Sequence, residues 1–339
     1  MLRTIQAMAE HMERLLPPSV PTNYEIAPLF DDIADHDDIR KGVAAFIVFI
    51  HQLCNCLATD GEKFNKPQKD THEYTDMVNI KKIFPLIANV RDTLIFIGND
   101  GYVSDSYNCS NAQFLSKLKG NSLRNALMFL SNCGLRFNNT DITTKSITLY
   151  DINLSEISYH NEMLIGLKTF ARAQTEVHIP GQENILLRCD YKALANKPID
   201  LSVALMEILA PLPIAVSDEV LHLHNYFMQQ KFKCSYSTTN FYVRFIYTHH
   251  NREIWRFNIS LANGYDMGIK ATNTKKYADI IKTFPQFVQD KINQGYGCGK
   301  KLGTNAACDG KCRGFRLTLD ESFIGLSDVI KVWIGEEIK

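Results

Sequence analysis

Residues 232–271 read FKCSYSTTNFYVRFIYTHHNREIWRFNISLANGYDMGIKA, and the fold class turns on them. Phe232, Cys234 and Tyr236 recur at every second position. Phe241, Val243, Phe245 and Tyr247 repeat the pattern, followed by Trp255, Phe257, Ile259 and Leu261, and then by Met267, Ile269 and Ala271. A period of two puts each set on one face of a β-strand. His249-His250-Asn251-Arg252 and Asn263-Gly264 supply the turns between strands. The stretch predicts an antiparallel meander with one wet face.

Outward from the meander the period changes to that of a helix. Residues 217–230 predict a helix capped by Ser217. Beyond the sheet, Tyr277, Ile280, Ile281, Phe284, Val288 and Ile292 mark another, which Pro285 kinks or divides. A strand with Phe315, Leu317 and Leu319 on one face and a last helix capped by Ser327 complete the chain. The expected C-terminal domain, residues 199–339, is therefore α+β: a four- to five-stranded antiparallel meander flanked by helices.

The N-terminal half predicts a second α+β domain, residues 1–196, with long helices and a small sheet. Ile39, Val43, Phe46, Ile47, Ile50, Leu53, Cys54 and Leu57 follow the 3.6-residue period. Residues 59–76, charged and carrying Gly61 and Pro67, predict a loop. Leu94 to Ile97 reads as a buried strand. Leu123, Ala126, Leu127 and Leu130 mark a helix that Gly134 ends in a left-handed conformation. Short strands are expected across residues 136–158, a helix from Asn161 to Val177, and an alternating strand from Asn184 to Tyr191. Residues 195–200, with Pro198, form the expected linker.

Composition narrows the function classes. At 339 residues, 45% hydrophobic and 22% charged, the chain suits two globular domains rather than a disordered or fibrous protein. Lys plus Arg and Asp plus Glu are 37 each, so the basic surplus of a nucleic-acid binder is missing, and no nucleic-acid partner is expected. The most apolar run, Gly42 to Ala58, contains His51, Gln52 and Asn55 and is shorter than a membrane span, so a buried helix and no membrane partner are expected. Residues 1–15 lack a signal-peptide core, which points to a cytoplasmic setting where the nine cysteines stay reduced.

Chemistry is most concentrated near the C-terminus. Cys298, Cys308 and Cys312 stand as C-x9-C-x3-C in a turn-rich loop, residues 297–313. Three soft thiolates can converge on a metal ion, with zinc the expected cofactor and His249 or His250 the candidate fourth ligand. Cys54, Cys56, Cys133 and Cys189 read as small buried hydrophobes. In the first domain Arg188 and Asp190 share a strand face. With Lys168 and Glu156 they form a candidate polar ligand pocket, or a plain salt bridge.

The run from the cysteine loop through Gly314-Phe315-Arg316-Leu317 to the closing helix, after a four-stranded meander, resembles uncharacterised proteins of anaerobic Gram-positive bacteria. The resemblance covers the C-terminal part alone. It implies a bacterial, cytoplasmic, α+β protein and no known activity.

With no nucleotide loop, triad signature or zinc-protease helix, the leading expectation is a non-catalytic protein binding a small ligand or metal through the cysteine loop. An enzyme with a polar pocket at the domain junction is the alternative. An oligomeric scaffold is another: the girth of residues 43–50 predicts self-association, as a homodimer.

Overall fold

The computed structural model describes residues 4–66, 83–100, 107–108, 121–138, 151–153, 160–238, 241–261, 263–271, 277–294 and 313–339, and the fold is α+β. The chain divides into two compact units. One comprises residues up to Ile199 together with residues 239–241, and the other comprises the remainder.

In the first unit, helix α1 (Ile5–Leu15) is capped by Thr4, whose hydroxyl accepts from the Ala7 N–H at 3.1 Å. Helix α2 (His36–Phe64) is capped by Asp35. Asp37 and Asp38 in its first turn and Lys63 in its last complement the helix dipole. Helices α3 (Pro85–Asp100), α4 (Asn121–Asn132) and α5 (His160–Glu176) complete the helical layer, and a short sheet of β1 (Tyr107–Asn108), β2 (Arg136–Asn138) and β3 (Asp151–Asn153) pairs antiparallel in the order β1-β3-β2.

Helix α5 is the hub of the unit, packing on α2 and α3. Glycines permit that closeness. A Cβ on Gly98 of α3 would stand 2.3 Å from the Ala171 Cβ of α5, so the two helices meet backbone to backbone. Phe46, Phe49 and Phe170 interlock beside the crossing, Phe46 and Phe170 with centroids 5.4 Å apart. These contacts use up the girth of α2. Val43, Phe46, Ile47, Phe49 and Ile50 are all buried by the unit itself, and Ala44, Val48 and Gln52 form the outward stripe. By length and composition α2 is apolar enough to cross a membrane, yet its apolar residues are mostly packed inside the unit.

Three local expectations fail for identifiable reasons. Leu94 to Ile97 belongs to helix α3, because a four-residue apolar run is as compatible with a buried helix as with a strand. The predicted loop at residue 59 is helical through Phe64, since Gly61 lets Ile5 of α1 pack against α2, its Cδ1 3.0 Å from a built Cβ. Residues 67–76 of that predicted loop lie outside the described residues. Asn184 to Tyr191 is not a strand but a run of turns leading into a 3-10 helix (Tyr191–Ala195).

In the second unit, helices α6 (Leu201–Leu209) and α7 (Ile214–Gln229) precede the meander. Asp200 caps α6 through the Ser202 and Val203 N–H groups. Helix α7 begins at Ile214 after Pro213, three residues ahead of the expected cap. Ser217 instead donates its hydroxyl to the Leu209 carbonyl at 3.0 Å. Strands β4 (Lys233–Ser237), β5 (Val243–His249), β6 (Arg252–Ser260), β7 (Gly264–Ala271) and β8 (Arg313–Thr318) pair antiparallel in chain order. His250 and Asn251, at φ 48° and 62°, make the two-residue hairpin turn whose twist matches its strands.

The register aligns Tyr236, Phe245, Phe257, Met267 and Leu317 across one face, and Tyr247, Trp255 and Ile269 beside them. Phe227 of α7 packs 4.7 Å from Trp255. Short helices α8 (Ala278–Ile281) and α9 (Gln286–Gln294) lie between β7 and β8 in the chain, and Phe284 between them packs 5.7 Å from Trp333 of helix α10 (Ser327–Glu337). The other face carries Arg244, Asn258, Asp266 and Thr318 in one row. It is polar, as expected, yet Asn258 and Asp266 are buried and bonded to each other at 2.8 Å.

Candidate functional site

The expected metal ligands Cys298, Cys308 and Cys312 lie outside the described residues, as does Glu156. Among the described residues, no group of three or more His, Cys, Asp or Glu side chains is arranged to hold a metal, so zinc has no support there. His249 and His250 sit at the β5–β6 hairpin with ring centroids 4.2 Å apart, and His249 packs 5.1 Å from Phe232. Lys168 is half-buried on α5. Burial, and then Arg172, lower its pKa, while Asp32 opposes them.

Arg188 and Asp190 do come together, and in a setting unlike the wet strand expected. The chain leaving α5 is held down by Gln174, which donates to the Glu183 carbonyl at 3.0 Å and accepts from the Leu186 N–H at 3.2 Å. The Asp190 N–H then returns to the Ile185 carbonyl at 3.0 Å, closing a loop in which Cys189 takes φ 50°. That left-handed conformation is unusual for a residue with a Cβ, and surrounding contacts must impose it. The Ala27 N–H bonds the Leu194 carbonyl at 2.9 Å, and Tyr24 packs 5.0 Å from Tyr191. The loop is thus pinned at both ends. All eight residues from Asn184 to Tyr191 are buried, though the segment has no regular ladder.

Inside it the Asp190 carboxylate lies between two cations, 3.5 Å from Arg188 Nη1 and 3.3 Å from Lys192 Nζ. Both distances exceed the ~2.7–2.9 Å of a tight charge-assisted bond. Burial pushes the Asp190 pKa up, but Lys192 and Arg188 together outweigh it and hold the carboxyl below its usual value. The result is an ionised cluster of two cations and one anion, with the Arg188 and Asp190 side chains nine-tenths or more buried.

Three further polar groups belong to this segment or neighbour it. His11 of α1 is fully buried, and its Nε2 bonds the Phe241 carbonyl at 2.5 Å. A carbonyl only accepts, so Nε2 carries the hydrogen and Nδ1 keeps a lone pair, which has no partner among the described residues. Burial lowers the His11 pKa to about 4, with Arg14 and Arg188 adding to the effect, so the ring is neutral near pH 7. Asn184, 2% exposed, has no partner for either amide atom among the described residues, and neither does the buried Tyr24 hydroxyl. Buried polar side chains are overwhelmingly satisfied in folded proteins, each unmade bond costing about 1–3 kcal/mol. Three such groups stand on or beside one buried segment.

His11 was legible in part. Met8, Met12 and Leu15 share its face of α1, so the helical period already placed it inward. Nothing in the pattern of residues singled out Asn184 or Tyr24. No protein-family model matches the chain, and no curated protein or solved structure matches it either.

Proposed function

We propose that the protein binds a small, singly anionic polar molecule in its first unit, at the Asn184–Lys192 loop. Arg188 and Lys192 against Asp190 leave one net positive charge, which favours one negative group on the ligand. The Asn184 carbonyl and His11 Nδ1 are acceptors, so the ligand carries at least one N–H or O–H donor. The observation that carries the reading is Asn184, more than nine-tenths buried in the same segment as the ion cluster, with its whole amide unpartnered among the described residues. A residue that lowers stability in this way is accounted for by a role in binding.

Thermal unfolding of the full chain tests the reading against a panel of amino acids, short hydroxy acids and inorganic phosphate. One class should stabilise it, by about 2.7 kcal/mol at a hundredfold excess over Kd. Asn184→Leu, which keeps the branching and removes the amide, should raise the ligand-free melting temperature and abolish that stabilisation. A lower melting temperature for Asn184→Leu, or no stabilising class, defeats the reading.

A further inference from the structure

Two cysteines that read as independent core residues meet in the fold. Cys56 lies on α2, and Cys133 lies one residue past the end of α4. Cys56 acts on Cys133 more strongly than its other titratable neighbours, Cys54 and Asp60 of α2, and the Cys56 thiol lies against Asn132, the residue before Cys133. The contact is held from both sides. The Asn132 amide donates to Asp60 at 3.2 Å, and the Cys56 thiol lies 3.9 Å from the Asn132 carbonyl. The Cys133 N–H bonds the Phe129 and Leu130 carbonyls, and Gly134 at φ 97° ends the helix there. The backbone carrying Cys133 is therefore fixed against α2.

The two thiols differ in access. Cys133 is fully buried, whereas Cys56 is partly exposed. Cys54 and Cys189 fit the reading of inert buried thiols, being nearly or wholly enclosed. Cys56 does not, since an accessible thiol beside an enclosed one is the arrangement of an attacking and a resolving cysteine.

We infer that Cys56 and Cys133 form a redox-active pair that closes to a disulfide by exchange with a low-molecular-weight disulfide. Cys56 loses its proton, and its thiolate attacks one sulfur of the small disulfide, expelling one thiolate. Cys133 Sγ then attacks Cys56 Sγ, breaking the mixed disulfide and expelling the second. The two protein protons end on the two released thiols. Two protein thiols are oxidised and one small disulfide is reduced. The new bond ties α2 to the end of α4.

The test equilibrates the native full chain with mixtures of reduced and oxidised glutathione, blocks remaining thiols with iodoacetamide under denaturing conditions, and maps the peptides by mass. The expected product is a Cys56–Cys133 disulfide, two hydrogens lighter than the dithiol, that grows with the oxidised fraction. Cys133→Ala should stop at a single glutathione adduct on Cys56, and Cys56→Ala should leave Cys133 unmodified. The wild-type map needs no variant to fold. Full alkylation of both residues at the most oxidising ratio, or a disulfide that pairs either with a different cysteine, overturns the inference.

Discussion

Gly166 of α5 stands against Gly42 of α2 so closely that a Cβ on Gly166 would fall 2.0 Å from the Gly42 carbonyl oxygen. The obstacle is backbone, which cannot swing aside as a side chain can. Gly166→Ala must therefore push apart the two helices that bury Phe46, Phe49 and Phe170. The expected loss is at the upper end of overpacking effects, about 3 kcal/mol. Gly335 of α10 is the control, since a Cβ there meets nothing within 4 Å. Gly335→Ala should stabilise by about 0.5–1 kcal/mol, because alanine restricts the unfolded chain and favours helix. Denaturant midpoints of the two variants should move in opposite directions.

Stability should fall in mild acid because of His11. Its pKa is about 4 in the folded chain against 6.5 unfolded, so between those values the unfolded chain binds the extra proton. A depressed histidine pKa gives stability that is complete above about pH 6.5 and is lost as the pH falls toward 4. The size is ~3 kcal/mol, from 1.36 kcal/mol per pH unit. Burial lowers His224 and His249 in the same sense, so the measurement is a difference. Unfolding free energy followed from pH 7 to 4 should slope less steeply in His11→Gln than in the parent. Equal slopes would remove His11 from the account.

The Asp190 cluster should be far more sensitive to losing one member than to losing its central pair. Asp190→Asn leaves Arg188 and Lys192 enclosed without their counter-charge, and about 3–5 kcal/mol should be lost. Replacing Arg188 by Met and Asp190 by Leu together removes the pair and should cost less than Asp190→Asn alone. If the loop binds an anion, that double variant should also lose the ligand-induced rise in melting temperature. A double-mutant cycle on urea unfolding separates coupling from individual cost.

The meander was readable because Phe245, Phe257 and Met267 alternate strictly and the turn residues fall where the strands end. Local pattern and tertiary demand agree there. At Leu94 to Ile97 they do not, since a short apolar run carries no period and only the packing of α3 on α5 decides it. Arg188 and Asp190 were readable as partners by their spacing, but not as interior groups, because alternation implies a wet face and says nothing of a segment enclosed on all sides. Cys56 and Cys133 stand far apart in the chain, and no local signal joins them. Their meeting is a product of how α4 lies on α2.

In the second unit the C-terminal helix is fastened by a polar knot. Arg252 bonds the Glu337 carboxylate at 3.3 Å. The Tyr277 hydroxyl donates to the other carboxylate oxygen and accepts from the Trp333 indole at 2.9 Å. Tyr277→Phe keeps the ring and removes the hydroxyl, depriving two buried groups of a partner. The expected cost is about 1–3 kcal/mol. Hydrogen exchange should quicken first in α10. Uniform loss of protection across the sheet would show instead that α10 unfolds only with the whole unit.

The cysteine loop, residues 297–313, can be tested through what flanks it. Helix α9 is anchored before it by the buried Val288 and Ile292, and β8 is paired with β7 after it. Phe227 packs on Trp255 and Phe284 on Trp333, so the unit has a core of aromatic residues outside the loop. A metal held by Cys298, Cys308 and Cys312 would then constrain a loop whose ends are already fixed. It would shift stability without being the nucleus of folding, unlike the metal of a small zinc finger. Protein purified without a tag should carry zinc by elemental analysis. Cys308→Ser should reduce that content and lower the melting temperature while leaving one cooperative transition. Global unfolding of the unit by a chelator would make the metal a folding nucleus. Unchanged zinc in Cys308→Ser would place the ligands elsewhere, and zinc-free parent protein with an unaltered melting temperature in the variant would leave the three cysteines as ordinary loop residues.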